Sequence, residues 1–154
     1  MSWLQTFLQP TQSYLVAFDI ASSSQNYLNP NGLQRDRERL FEAIDQAKLV
    51  RRCASKSAVG GQFLGDEYRV AFRVDGDHGT IRHSDIIEFI DEVFDKLEGS
   101  KSSMGYAPVV RALLTMGAVS ASELYGFGYL KGGTAFDALS KLSQLVALWS
   151  LEAP

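Results

Sequence analysis

The sequence predicts one α+β domain: a ferredoxin-like, split β-α-β sheet followed by a mainly helical C-terminal third. Three observations carry that prediction. Residues 14–20, Tyr-Leu-Val-Ala-Phe-Asp-Ile, form a nearly continuous apolar run of strand formers, the pattern of a strand covered on both faces. From Leu33 the period becomes helical, with Leu33, Leu40, Phe41, Ile44 and Ala47 on one stripe and Arg35, Asp36, Arg37, Glu38 and Arg39 between them. Tyr68, Val70, Phe72 and Val74 then alternate with Arg69, Ala71 and Arg73, the two-residue period of a half-buried strand.

The remaining elements follow in order. A polar loop from Ser22 ends in the turn residues Asn29-Pro30-Asn31-Gly32 and stops the first strand. The first helix runs to about Lys48. Residues 49–59 read as a strand anchored by Val50, Cys53 and Val59 and broken by Gly60-Gly61. After the Asp75-Gly76-Asp77 turn, Ser84 and Asp85 open a helix whose wide apolar face is Ile86, Ile87, Phe89, Ile90, Val93, Phe94 and Leu97, with Gly99 as its stop. Pro108 suits the first turn of another helix through Leu114, closed by Gly117. Residues 124–130 offer a further strand, and a last helix starts at Thr134 with Asp137 three residues on. The chain thus divides into an apolar N-terminal segment (1–11), an α/β core (14–98) and a helical part (105–152), all within one domain.

Composition sets the outer limits. The 154 residues are 45% hydrophobic and 21% charged, enough apolar surface for a folded core and too much for a disordered chain. A net charge of −3 supplies no global field for a polyanion. Cys53 is the single cysteine, so neither an internal disulfide nor a cysteine-cluster metal site forms. No run approaches the roughly 20 apolar residues of a membrane span, and Met1 to Thr11 lacks a secretory pattern, so a cytoplasmic site, or the inside of a virion, is expected. Trp3, Leu4, Phe7 and Leu8 would share a face at helical spacing, and such a face needs something to dock on.

Sites of chemistry are sparse. The turn Asp75-Gly76-Asp77-His78-Gly79-Thr80 is rich in ligand atoms, but its spacing matches no calcium loop, and no metal site is expected. Lys131-Gly132-Gly133-Thr134 has the wrong order for a phosphate loop and reads as a capped turn. Cys53 reads as a small buried hydrophobe. Arg35, Arg39, Arg51, Arg52 and Lys56 make a basic strip, whereas Asp85, Glu88, Asp91, Glu92, Asp95 and Glu98 make the later helix acidic.

The stretch Tyr14-Leu-Val-Ala-Phe-Asp19-Ile, Asn29-Pro-Asn-Gly32, the Arg-rich helix and Val50-Arg51-Arg52-Cys-Ala-Ser55-Lys-Ser57 resembles the start of VapD-type ribonucleases and their relatives among CRISPR adaptation proteins. That resemblance covers about the first 60 residues. It implies a ferredoxin-like dimer in which Asp19 ends the first strand near the dimer cleft, with Ser55 or Ser57 beside it on the second. Asp19 would then hold Mg²⁺ or Mn²⁺ for phosphodiester cleavage.

The expectation drawn from all this is a non-enzymatic assembly or interaction protein, of a virus or mobile element, without a cofactor. It would associate with itself or a protein partner through Trp3, Phe7, Trp149 and Leu151. The alternatives are a metal-dependent ribonuclease built on Asp19 and an RNA-binding module using the strip from Arg35 to Lys56.

Overall fold

The computed structural model describes residues 11–20, 30–56, 58–101, 108–122 and 129–152. In chain order these form β1 (Thr11–Ile20), α1 (Pro30–Asp45), α2 (Lys48–Ala54), β2 (Val59–Leu64), β3 (Glu67–Arg73), α3 (His83–Gly99), β4 (Val110–Ser122), β5 (Tyr129–Gly132) and α4 (Thr134–Glu152). The strands make a five-stranded sheet in the order β2-β3-β1-β4-β5, with every pairing antiparallel. Its first four strands have the connectivity of a split β-α-β unit, so the α+β, ferredoxin-like class holds.

The apolar run in β1 is explained by its place at the centre, between β3 and β4 and covered on both faces. On one face Tyr14, Val16, Phe18 and Ile20 join Val70 and Phe72 of β3 under α1, α2 and α3. Phe89 of α3 sets its ring edge between Phe18 at 5.8 Å and Phe72 at 4.9 Å. On the other face Leu15, Ala17, Ala71 and Val119 meet Ala135 and Leu139 of α4. The close seat of α4 needs glycine beneath it: a Cβ on Gly117 would lie 2.8 Å from Thr134 Oγ1. Gly133 takes φ +129°, and a Cβ there would lie 2.2 Å from the Ala118 carbonyl. Ala118 N–H donates to Thr134 Oγ1 at 2.8 Å, and Thr115 Oγ1 donates to the Ala135 carbonyl at 3.1 Å.

Several sequence expectations change here. Residues 48–54 are helix α2, not the start of a strand, because Leu49, Val50 and Cys53 fall on one buried helical side. The strand lies later, as β2, and runs through Gly60-Gly61 rather than stopping at them. Pro30 opens α1 instead of belonging to the loop. Residues 110–122 are a strand and not a helix, since β1 has a second edge to pair and Val110 to Val119 fills it. The last helix begins at Thr134 as expected. Arg82, not Ser84, caps α3; its N–H donates to Asp85 Oδ2 at 2.8 Å. Among the described residues no helix is long and apolar enough to cross a membrane.

Candidate active site at the end of the first strand

Asp19 is the next-to-last residue of β1 and points to the face that α4 covers only in part. Register places it between Glu67 of β3 and Arg111 of β4. An Arg111 guanidinium N–H donates to Asp19 Oδ2 at 2.8 Å, and both side chains keep solvent access, at 49% for Arg111 and 31% for Asp19. The β2–β3 hairpin is pinned to the same end, because Ile20 N–H donates to the Asp66 carbonyl at 3.1 Å. Gly65, at φ +63°, makes that tight turn possible. Arg69 of β3 is 3.2 Å from Glu67 Oε1, and its guanidinium lies 5.3 Å over the ring of Phe136 on α4.

The electrostatics of Asp19 follow from this setting. Burial is the largest influence and raises its pKa, and the Asp66 charge raises it further. Arg111 pulls the other way, through its charge and its hydrogen bond, and Glu67 adds a smaller push upward. The net direction is up. Three carboxylates and a guanidinium therefore gather at one sheet end, with the charged form of Asp19 disfavoured.

The residues singled out in the sequence fall differently. Arg39 pairs with Glu42 at 3.3 Å. Arg52 donates to the His78 carbonyl at 3.1 Å, and Lys48 N–H donates to Glu92 Oε2 at 2.9 Å. Lys48 and Arg52 share an open cleft with Asp85, Glu88, Asp91, Glu92 and Asp95. Part of the basic strip thus faces the acidic helix of its own fold. Arg35, Arg51 and Lys56 are exposed, Arg35 on α1, Arg51 on α2 and Lys56 just beyond its end. Ser55 caps the end of α2 and is not on a strand beside Asp19; Ser57 lies outside the described residues. Trp3 and Phe7 also lie outside them, and of Trp149 and Leu151 only the helical backbone is described. Burial raises the Cys53 thiol to about 11, which fits a packed hydrophobe. His78 is buried with Nε2 2.8 Å from the Arg73 carbonyl, a turn-bracing role. Among the described residues no three His, Cys, Asp or Glu side chains converge as a metal cage.

Asp66 and Arg111 were missed in the sequence. Each had a signal: Gly65-Asp66 is a turn after an apolar stretch, and Arg111 is the single charge between Val109 and Val119.

No family model matches the chain, and no curated protein matches it in sequence. Solved structures do match. A bacterial light-regulated adenylyl cyclase aligns over 89% of this chain with a TM-score of 0.61 and 17% identity. The catalytic core of a rhodopsin-guanylyl cyclase with converted specificity, in complex with ATPαS, aligns over 86% of this chain and 72% of its own, at 0.56 and 18%. A dimeric guanylyl cyclase domain of the RhoGC fusion protein from the aquatic fungus Blastocladiella emersonii covers 86% of this chain and 74% of its own, at 0.57 and 18%. The chain spans 40% of the light-regulated cyclase chain. At these identities the likeness is one of fold.

Two expectations are overturned by these findings. The VapD-type ribonuclease resemblance fails, since the structural neighbours are nucleotide cyclase domains and Val50 to Ser55 of the matching stretch belong to a helix and its cap. A non-enzymatic assembly protein, viral or otherwise, is replaced by a fold shared with cyclase catalytic domains, and neither the ribonuclease nor the RNA-binding alternative fares better. The assembly reading rested on missing catalytic constellations, on apolar anchors at both ends and on charge-segregated helices. The carboxylates and the arginine come from β1, the β2–β3 turn and β4, so only folding brings them together.

Proposed function

We propose that this chain is a nucleotide cyclase domain, closing a nucleoside triphosphate into its cyclic monophosphate with release of pyrophosphate. The observation that carries it is Asp19, set at the end of the central strand with Asp66 and Arg111 around it, on a fold that resembles cyclase domains. In the reaction the ribose 3′ oxygen bonds to the α-phosphorus while the bond from that phosphorus to the bridging oxygen of pyrophosphate breaks. The hydroxyl proton passes to a carboxylate or to water.

The donor set fits a divalent cation of the Mg²⁺ or Mn²⁺ kind. Two hard carboxylates, Asp19 and Asp66, supply a part of such an ion's shell, and phosphate oxygens and water supply the rest, so a third protein ligand is not required. Bound there, the ion would offset the charge of the triphosphate and polarise it for attack. The ionised form of Asp19, disfavoured by burial and by Asp66, is the form such an ion stabilises. Arg111 holds Asp19 in place and presents further N–H donors of its planar fork at the same sheet end, suited to phosphate oxygens. Self-association, as in the dimeric neighbour, belongs to the same reading.

The test is direct. The purified chain is incubated with ATP and with GTP, each with Mg²⁺ and with Mn²⁺, while light scattering records its oligomeric state. A cyclic product with at least one pair is expected, and Asp19→Asn lowers the rate at least about a hundredfold. A folded chain that yields no cyclic nucleotide in any pairing, at any concentration where it self-associates, sinks the proposal.

A further inference from the structure

We propose that two copies of this chain join through β4, edge to edge and antiparallel about Leu113, so that their sheets run on as one. The inference rests on the sheet alone and does not depend on the cyclase reading. Which way each β4 residue turns its backbone follows from β1. At one end of β1 the Gln12 carbonyl accepts from Val74 N–H at 3.0 Å, and at the other Ile20 N–H donates to the Asp66 carbonyl at 3.1 Å. Even-numbered residues of β1 therefore turn toward β3, and odd-numbered ones toward β4. The unbroken register then makes Arg111, Leu113, Thr115, Gly117 and Val119 face β1, and turns Val110, Ala112, Leu114, Met116 and Ala118 outward. Ala118 agrees, because its N–H meets Thr134 Oγ1 at 2.8 Å. β5 takes the outer side only from Ser120 to Ser122. From Val110 to Met116 the outward N–H and C=O groups have no partner among the described residues.

The same four outward residues carry apolar side chains. Val110, Ala112, Leu114 and Met116 lie on the face shared with Ile20, Phe18, Val16 and Tyr14. Met116 is 54% exposed, and no residue from Val110 to Ala118 is buried, whereas Ser13 to Phe18 of β1 all are. Beside them, the flank of α3 turned away from α2 leaves Ile87 46% and Phe94 37% exposed. Sheet edges are ordinarily blunted by lysine, proline, a bulge or brevity. Val110 to Val119 has no lysine, no proline and no register shift, and its one charge, Arg111, is bonded to Asp19 on the other face.

A second β4 suits this edge. A two-fold axis at Leu113 sets Val110 against the partner's Met116 and Ala112 against the partner's Leu114, which engages all four outward residues at once. An axis at Ala112 would need Pro108, which has no N–H, and one at Leu114 would need Ala118, which Thr134 already holds. Charge favours the same seam. Asp85, Glu88, Asp91, Glu92 and Asp95 line the cleft toward α2, so the seam avoids the carboxylates that would set two chains of net charge −3 against each other. The two Arg111 residues would stand four strand positions apart, about 13 Å and beyond a screening length of about 8 Å. The helices complete the fit. Tyr14, opposite Met116, touches His83, and Phe18, opposite Ala112, touches Phe94, so α3 runs counter to β4. The axis therefore sets Ile87 of each copy across from the partner's Phe94, over a gap of about 14 Å between the two β1 strands.

The test uses the full chain without nucleotide. Light scattering coupled to size exclusion is expected to report a dimer whose share rises with concentration. Met116→Lys, at an exposed position, and Ala112→Pro, which removes an N–H facing away from β1, are each expected to leave a monomer with unchanged far-ultraviolet circular dichroism. If the proline variant does not fold, the lysine variant decides alone. Leu113→Cys combined with Cys53→Ala leaves one thiol per chain, and the axis sets it about 4.5 Å from its counterpart between Cα atoms. Mild oxidation is expected to link those chains in pairs. A monomer at every concentration overturns the proposal and leaves the edge to a strand of another protein. A dimer that survives in either folded variant, or one that does not cross-link through Leu113→Cys, overturns it too, because its interface lies elsewhere. No arm reads cyclic nucleotide, so failure here and failure of the cyclase reading are separate results.

Discussion

The two faces of the sheet are built to different ends. The face under α1, α2 and α3 is filled by large side chains, with Phe18, Phe72, Val16 and Val70 all shielded from solvent and Phe89 wedged between the first two. The face under α4 is thinner: Leu15, Ala17, Ala71, Val119, Ala135 and Leu139 make a small cluster, and the charged Asp19, Glu67, Arg69 and Arg111 continue it toward the strand end. One face holds the fold together. The other has small residues that let α4 approach, and charges gathered at the strand end, on which the cyclase proposal rests.

That contrast is open to attack. The largest effect is expected from Phe18→Ala, which removes a fully buried ring from the first face and should cost about 3–5 kcal/mol in urea unfolding. A loss below about 1 kcal/mol there would mean the thick face is not the stabilising one. On the second face, Asp19→Asn should leave stability within about 0.5 kcal/mol of the parent or raise it, because the neutral amide ends the opposition from burial and Asp66. It should also remove the proposed cyclase activity. If Asp19→Asn destabilised the chain as much as a core truncation, Asp19 would be a structural residue.

Alkaline pH probes the first face again. Burial raises the Cys53 thiol to about 11 and, with a smaller push from Asp45, the Tyr68 hydroxyl to about 12. Both groups stay protonated in the folded chain at pH values where the unfolded chain has begun to lose those protons. Their stabilising effect is therefore full below pH 9 and is lost as pH rises through 11 and 12. Each group accounts for at most about 3 kcal/mol over that window. Cys53→Ala and Tyr68→Phe should flatten the corresponding part of the pH–stability curve, and an unchanged slope in both would contradict the burial argument.

Legibility in the sequence followed the same division. β3, α1 and α3 were readable because each buries a regular stripe against the thick core, which forces period 2 or 3.6 on the apolar positions, and β1 because cover on both faces makes it a continuous apolar run. β4 was misread: Val109, Val110, Leu113 and Leu114 have helical spacing, and apolar side chains lie on both faces of the strand, which hides its two-residue period. α2 was misread for the opposite reason, since seven residues are too few to show a period. Of the site, Asp19 was legible as a strand-end carboxylate. Asp66 and Arg111 were not, because their meeting depends on which strands flank β1, and a sheet order is a property of tertiary packing.

The finest test of the two-face contrast is Arg111, whose effect on stability should be the smallest. The Arg111–Asp19 pair is short at 2.8 Å, yet both partners reach solvent, and exposed pairs of this kind contribute about 0–1 kcal/mol. Arg111→Ala also takes away the influence that lowers the Asp19 pKa, so that carboxyl should titrate still higher. Stability should therefore change by less than about 1 kcal/mol at neutral pH, while the rate with either nucleoside triphosphate falls. Arg111→Lys separates charge from shape. If the planar fork matters, lysine restores the Asp19 titration toward its parent position but leaves most of the rate loss in place. If lysine restores both, Arg111 acts as a simple point charge. Full activity in Arg111→Ala would remove β4 from the site and leave the carboxylates to act without it.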